Sequence, residues 1–513
     1  MVSKLNCCSL SGMHVSPVEL EVDLSNQLPS FALVGMASSV TQESRDRVRA
    51  AVTNAGFPWP QKKVTVSLTP ADVPKWGAHF ELPMALGVLA AQADGPVPTV
   101  FAFGEVSLSG ALRPTGLGAA ILSWFMEQQR SGVRFVLCHA QDWEDYLAWA
   151  GGECDPAIEG VTASSLRQLW ESFVAALKVE RPRIDSPIAS AVDKKGSGPD
   201  LSVLQSVRGE PLAKLAALVV LADPGRHLLL AGPQGTGKSM VARAMAPAIG
   251  CLGPRAAAEL GPVCRALGLT LPRSEDRKPV MHLQSSATKA ALEGAITANG
   301  QVVPGEMSRA HGGMLVMDEL LECRRDTIEC LRQPLEEGLI RLQRARHRAL
   351  LPARFQLVAT TNLCSCGMWL GENSLCICGD SALSAYQRKL SGPILDRFSL
   401  LVLTGQGEGA LRGLSGEARS MLDHLVGKTM ALLPVSGPTL VENPAQWEAV
   451  ARLRPEASLR GIRNMAAVAA TLGRADGAAS PVHVELACAL RFPVEKLLKR
   501  GRSALPPLRL HLS

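Results

Sequence analysis

Aromatic residues are scarce in this 513-residue chain: they make up 4% of it, with only two tyrosines. Its cores must therefore be aliphatic, and a hydrophobic content of 47% supplies them amply. Long apolar runs are missing as well. Gly, Pro or charge breaks each candidate short of the roughly 20 residues that cross a bilayer, which excludes a helical membrane anchor. The opening stretch, MVSKLNCCSLSG, lacks the apolar centre of a secretory signal. Thirteen cysteines would suit an oxidised scaffold, but without such a signal they predict reduced thiols in a cytoplasmic protein, with Cys7-Cys8 a buried strand pair. A strong charge excess is also absent. The formal net charge is +6, so any nucleic-acid surface has to come from local clustering. The length predicts about three domains.

What is present, above all, is a phosphate-binding signature. Residues 227–246 read HLLLAGPQGTGKSMVARAMA. Gly232, Pro233, Gln234, Gly235, Thr236, Gly237, Lys238 and Ser239 match G-x-x-x-x-G-K-[ST], and Met240 follows. The apolar run Leu228 to Ala231 predicts a buried strand before the loop, and the residues after Lys238 predict a helix. Glycines let backbone N–H groups close on phosphate oxygens, Lys238 brings a charge to the β- and γ-phosphates, and the Ser239 hydroxyl can ligate Mg²⁺. ATP and Mg²⁺ are the implied cofactors.

Downstream, Leu315-Val-Met-Asp-Glu319 predicts an apolar strand ending in two carboxylates. Asp318 is placed to hold the Mg²⁺ shell and Glu319 to polarise the attacking water. Phe355 to Asn362 predicts a third strand with a polar end. Between these, residues 339–355, LIRLQRARHRALLPARF, hold Arg341, Arg344, Arg346 and Arg348 with no acid and alternate as a hairpin would. An arginine row of this kind can track phosphates of DNA; the alternative is a solvated edge, or pairing with acids such as Glu336 or Glu337. Cys364-Ser-Cys366 and Cys376-Ile-Cys378, nine residues apart, can make a tetrahedral thiolate site for a structural Zn²⁺ that stiffens the loop. The alternative is four reduced thiols.

Upstream of the phosphate loop, Val15 to Leu24 and Lys63 to Leu68 alternate as half-buried strands, and Phe31 to Gly35 reads as a short buried strand. Gln42 to Asn54 and Pro83 to Ala91 read as helices, Phe101 to Leu112 as two strands around a turn, and Val133 to Cys138 as a further strand. Gly209 to Leu221 reads as an amphipathic helix. Residues 180–200, ERPRIDSPIASAVDKKGSGPD, have the composition of a linker, and Pro506 to Ser513 that of a frayed tail.

The phrases LPSFALVG, ESRDRVRAAVTNAGF, TVSLTPADVPKWGAHFELPMALGVLAA and FGEVSLSGALRP closely resemble ComM/YifB-type proteins, the magnesium-chelatase-like branch of AAA+ ATPases. The resemblance covers nearly the whole chain. It implies an α/β fold: a P-loop AAA+ core (201–405) with a helical lid (406–513), joined by a linker (176–200) to an α+β ribosomal-S5-like, Lon-protease-like domain (1–175). A Lon-type protease needs a Ser nucleophile and a Lys base. The corresponding stretch here, Lys75-Trp-Gly-Ala-His-Phe80, has no Ser, and no lysine occurs between Lys75 and Lys178. His79 reads as structural, and the domain as a non-catalytic platform.

The resemblance further implies that Asn362 is the sensor-1 amide orienting the lytic water. Ser391-Gly-Pro-Ile-Leu-Asp-Arg397 resembles the segment whose arginine finger, here Arg397, reaches a neighbouring subunit's γ-phosphate. Arg460 matches the sensor-2 arginine, on a helix that Ser458 caps. A finger acting in trans implies a homo-oligomeric ring, expected to be a hexamer. Residues 304–313 resemble the segment before the Asp-Glu strand, but where the family shows a stretch of the form RPFRxPHH this chain reads Lys278-Pro-Val-Met-His-Leu-Gln284. The expected activity is a ComM-like helicase, driving branch migration during recombination of incoming DNA. The competing expectation is a chelatase-type or protein-remodelling ATPase. The hairpin has no aromatic before Phe355, whereas an unfoldase pore normally does.

Overall fold

The computed structural model describes residues 2–11, 14–35, 39–70, 78–93, 97–127, 133–150, 158–177, 200–270, 272–273, 275–298, 301–344, 347–370, 375–405, 411, 414–427, 444–454, 457–476 and 480–500. Most of the expected linker, the stretch 75–77, the frayed tail and Arg346 lie outside these.

The first half of the chain forms one sheet from β1 (Val2–Ser11), β2 (His14–Ser25), β3 (Ser30–Val34), β4 (Lys63–Thr69), β5 (Val100–Ala102), β8 (Phe135–His139) and β9 (Glu159–Ala163). Its order is β3-β4-β2-β1-β5-β8-β9. The β1–β2 and β2–β4 pairs are antiparallel, and the others are parallel. Helices Ser39–Asn54, Glu81–Gln92 and Leu166–Leu177 cover one face through Val48, Val52, Leu82, Leu86 and Phe173. Helices Gly118–Glu127 and Ala140–Trp149 cover the other through Ile121, Phe125 and Tyr146. With both faces covered, adjacent Cys7 and Cys8 are both buried, each in a different core. Helix Glu81–Gln92 rides close: a Cβ at Gly87 would come within 2.6 Å of Val22.

Two expectations change here. The Phe31 stretch is an edge strand, with Val34 54% exposed, because only β4 pairs with it. Phe101 to Leu112 contributes three strands, the end of β5 and a small hairpin of β6 (Glu105–Val106) and β7 (Leu112–Arg113). His79 is buried, its Nε2 3.0 Å from Cys8 O, and burial lowers its pKa to about 4. Its environment is structural.

The second half is built on five parallel strands: β10 (Leu228–Ala231), β11 (Val280–Leu283), β14 (Met314–Met317), β17 (Gln356–Thr361) and β18 (Leu400–Leu403), in the order β11-β14-β17-β10-β18. Strands β10, β14, β17 and β18 are buried at every position, which is why β10, β14 and β18 read as unbroken apolar runs, while β17 also buries the polar Gln356, Thr360 and Thr361. Two hairpins flank the sheet, β12 (Gly294–Ile296) with β13 (Val302–Pro304), and β15 (Leu339–Arg344) with β16 (His347–Pro352). The helix expected to be amphipathic, Pro211–Ala222, is instead buried on nearly all sides. It lies between the sheet and helices Gly416–Gly427 and Leu459–Asp476, so its outer face is covered too. Helices Pro444–Leu453, Pro481–Ala489 and Phe492–Arg500 complete the C-terminal group. The Ser458 hydroxyl accepts the Gly461 N–H at 3.1 Å, the cap the sequence predicts. Among the described residues no helix is long and apolar enough to cross a membrane.

The halves meet at helix Pro254–Ala266, which packs on helices Gly118–Glu127 and Ala140–Trp149. Arg265 donates to Thr115 O and pairs with Glu105 there.

Candidate nucleotide site

Parallel strands bring all their carboxyl ends to one edge, and crevices at that edge are where open α/β sheets bind ligands. Here the edge collects the phosphate loop after β10, Asp318-Glu319 after β14, Asn362 after β17 and Thr404 after β18. Gly235 and Gly237 sit at φ +81° and +83°, conformations that favour glycine. A Cβ at Gly237 would meet the Met240 side chain at 3.5 Å. The loop is tied down on three sides. Gly232 N–H donates to Thr361 O (3.2 Å), Gln234 N–H to Gly367 O (2.9 Å), and the Thr236 and Thr404 hydroxyls are 2.8 Å apart. Gly405 N–H donates to Glu210 at 2.8 Å, and Glu210 itself is held at φ +50°.

Lys238 is 7% exposed and folds over its own loop, donating to Gly232 O at 2.9 Å and to Pro233 O. Burial pulls its ammonium below the ordinary lysine value, against the opposite pull of Asp318 and Glu319. The Ser239 hydroxyl donates to Asp318 Oδ1 at 2.7 Å, and Thr360 Oγ1 donates to the same oxygen. Glu319 N–H donates to Thr360 Oγ1 at 3.1 Å. Glu319 is exposed and adopts φ +55°, a strained position for a non-glycine residue that costs about 1–3 kcal/mol and clusters at functional sites. Half-buried Asn362 follows directly after the Thr361 that receives the loop. The donor set fits a magnesium-bound triphosphate: a buried cation, glycine-shaped backbone, and a hydroxyl–carboxylate pair in contact. Thr360, Thr404, Glu210 and Gly367 were missed in the sequence. Hydroxyls at the ends of otherwise apolar strands are the signal that finds the first two.

Arg397 is elsewhere. It precedes β18, whose Leu403 is the register partner of Ala231, so the four-residue strand separates it from the phosphate loop by roughly 13 Å. Its guanidinium pairs with Glu336 and donates to Pro393 O at 3.0 Å. Arg460 reaches the same Glu336 at 3.2 Å, so its partner in this chain is Glu336 at the finger end. The two guanidinium groups hold the Glu336 carboxyl below its ordinary range.

The expected hairpin is β15–β16. Ile340, Leu342, Ala349 and Leu351 are buried on one face, while Arg341 and Arg348 are exposed. Its arginines are not a free row: Arg341 pairs with Glu337, and Arg344 donates to Ile296 O at 2.7 Å. His282 lies exposed on β11, in the stretch where the double histidine was expected. His311 is buried between Glu259 (2.8 Å) and Arg354 N–H (3.1 Å).

The four loop cysteines converge, with all four Sγ atoms within 4.8 Å of one another. Separations are 3.3 Å for Cys364–Cys366, 3.6 Å for Cys366–Cys376 and 3.7 Å for Cys364–Cys376. Backbone N–H groups of Met368 and Ile377 hold the Cys366 thiol below its ordinary pKa, while burial pushes Cys364 up.

The loop between a buried strand and a helix, with an acidic strand end beside it, defines a P-loop nucleotide-binding protein. Residues 203–410 match the family model for magnesium chelatase, subunit ChlI, and residues 20–142 match that for subunit ChlI of Mg-chelatase. The chain is 33% identical over 431 residues to competence protein ComM of Haemophilus influenzae, covering 81% of this chain and 80% of that one. It is 35% identical over 394 residues to the uncharacterized protein YifB of Escherichia coli (76% and 73%). An uncharacterized protein of Mycobacterium tuberculosis is 32% identical over 510 residues (94% and 97%). The chain belongs to the ComM/YifB-type magnesium-chelatase-like family, a branch of the AAA+ proteins, and membership implies an ATPase.

Proposed function

We propose that this protein is an ATP-hydrolysing ring motor that acts on DNA, a ComM-like helicase driving branch migration. One observation carries the ring. The candidate finger and the phosphate loop lie at opposite ends of one sheet, so Arg397 meets a triphosphate only on another copy. Within a site, Lys238 and the loop N–H groups would hold the β- and γ-phosphates, and Ser239 with Asp318 would hold Mg²⁺. Bound Mg²⁺ supplies neutralising charge. Glu319 and Asn362 orient water, and Arg397 with Arg460 of the next copy offsets developing negative charge. The first half, read as an S5-like platform, and the C-terminal helices, read as a lid, frame this motor.

The DNA step rests on the exposed Arg341 and Arg348 of the β15–β16 hairpin together with kinship to a competence protein. The Arg341–Glu337 pair supports the second reading, in which the hairpin is structural and the motor remodels a protein partner. ATP turnover of the full chain, with and without single-stranded or branched DNA, separates them. DNA is expected to accelerate turnover in the wild type, and Arg341→Ala with Arg348→Ala to abolish the acceleration. Equal rates in all cases would remove the DNA assignment.

A further inference from the structure

We propose that Cys364, Cys366, Cys376 and Cys378 bind one zinc-class ion, and that the filled site braces the phosphate loop through Gly367, so that metal occupancy sets nucleotide affinity. The metal half of the proposal stands on its own. The link to affinity rests on the nucleotide-binding reading above.

The geometry of the sulfurs comes first. A tetrahedral ion with Zn–S bonds of about 2.3 Å sets its ligands roughly 3.8 Å apart. The separations of 3.3, 3.6 and 3.7 Å already approach that figure. Among the described residues no other group of His, Cys, Asp or Glu converges in this way. Each thiol that becomes a ligand releases one proton, so filling the site with a divalent cation releases up to four and involves no redox partner.

Packing supplies a second, independent argument. The segment carrying Cys376 and Cys378 has no core of its own, since Leu375 is 80% exposed and Ile377 is 90% exposed. Apart from the partly buried Cys376 and Cys378 themselves, which pack toward the core that holds Cys364, no apolar side chain of this segment anchors it. An ion bonded to both C-x-C pairs would.

The brace follows from the chain itself. Gly367 comes directly after Cys366, at φ +76°, and its carbonyl accepts the Gln234 N–H of the phosphate loop at 2.9 Å. A Cβ at Gly367 would touch Gln234 Cβ at 3.4 Å, so the two loops are in packing contact. On the other side, Cys364 follows Asn362 by two residues, and its sulfur accepts the Trp369 N–H at 3.2 Å. Gln387 anchors Leu363 O at 3.1 Å. One short knuckle thus links the end of β17, the thiol cluster and the phosphate loop. Fixing the cluster fixes the acceptor that Gln234 uses.

The test uses the full-length protein. Zinc is quantified per chain, a fluorescent ATP analogue is titrated, and amide exchange is followed over residues 232–237 without nucleotide. The expected result is one zinc per chain, and on chelation both faster exchange in that segment and about tenfold weaker nucleotide binding, the worth of one buried hydrogen bond. Cys378→Ser loses zinc and shows the same weakening. Gln234→Pro keeps zinc, but its nucleotide affinity no longer responds to chelation. Protein without zinc, or stripped protein with unchanged exchange, would overturn the proposal. Zinc-loaded protein that binds no nucleotide yet slows exchange would instead overturn the nucleotide reading and leave the brace standing.

Discussion

At the carboxyl end of the five-stranded sheet, most candidate groups are fixed by short-range contacts. Lys238 is buried over its own loop, Ser239 and Thr360 converge on Asp318, and Glu319 is locked at positive φ. At the amino end, Arg397 and Arg460 share one carboxylate, Glu336, which is 45% exposed. The Glu336 carboxylate faces solvent, which screens its attraction, whereas the Arg397 side chain is only 7% exposed. The backbone around Arg397 is nonetheless held firmly. Asn464 donates to Asp396 O (3.0 Å) and to Phe398 O (3.4 Å), and fully buried Arg491 also donates to Phe398 O. One end is organised to receive an anion. The other holds two cations on a fixed base, sharing one carboxylate that faces solvent. On the proposed reading they are two halves of a site that neighbouring copies complete.

The largest effect is expected at the carboxyl end. Glu319→Gln should leave nucleotide binding intact and lower the hydrolysis rate by about 10²–10⁴-fold, the usual worth of a group that handles the attacking water's proton. Single-turnover rates and an equilibrium titration check the two parts separately, and a fully active variant would refute the role.

The amino end is tested by mixing. Lys238→Ala and Arg397→Ala should each be nearly inactive alone. In an equal mixture, half the copies offer an intact loop and half an intact finger, so about a quarter of the contacts between copies are complete. Turnover should recover to roughly that fraction. Arg397→Ala that is active while strictly monomeric would break the comparison outright. A smaller effect is expected at the base of the finger. Asn464→Ala removes two hydrogen bonds worth about 1 kcal/mol each, and should lower kcat about tenfold with nucleotide affinity unchanged.

How much of this the sequence disclosed follows the same division. The phosphate loop, the Asp318-Glu319 strand end and the β15–β16 hairpin are written in local spacing, and they fold where spacing places them. The cap at Ser458 is equally local. Arg460 beside Arg397 is different, because Glu336 joins segments far apart in the chain, and only the packing of helix Leu459–Asp476 brings them together. The Gly367–Gln234 contact depends on β17 lying next to β10, an adjacency of strands far apart in sequence. Helix Pro211–Ala222 departs from the expected amphipathic pattern for a related reason: the C-terminal helices cover the face that local spacing assigns to solvent. Left-handed Glu319 left no trace, since its sequence is that of an ordinary strand end.

The smallest expected effect distinguishes the ends by acid. His227 closes the amino end: its Nδ1 accepts the Leu357 N–H at 3.1 Å, and its carbonyl accepts the N–H groups of Ser399 and Leu400. Burial lowers its pKa to about 4, the Arg226 charge adds to this, and Asp223 opposes it. A folded value below the unfolded value of roughly 6.5 means that the folded chain binds fewer protons. The stabilisation is therefore complete above pH 6.5 and is lost as pH falls toward 4, by up to about 3 kcal/mol. His79, also near 4, adds the same sign in the seven-stranded sheet. His227→Gln keeps an acceptor for the Leu357 N–H but does not titrate. Its denaturation midpoint should fall less than that of the wild type between pH 7 and pH 4.5, and equal falls would show that the amino end does not depend on a neutral imidazole.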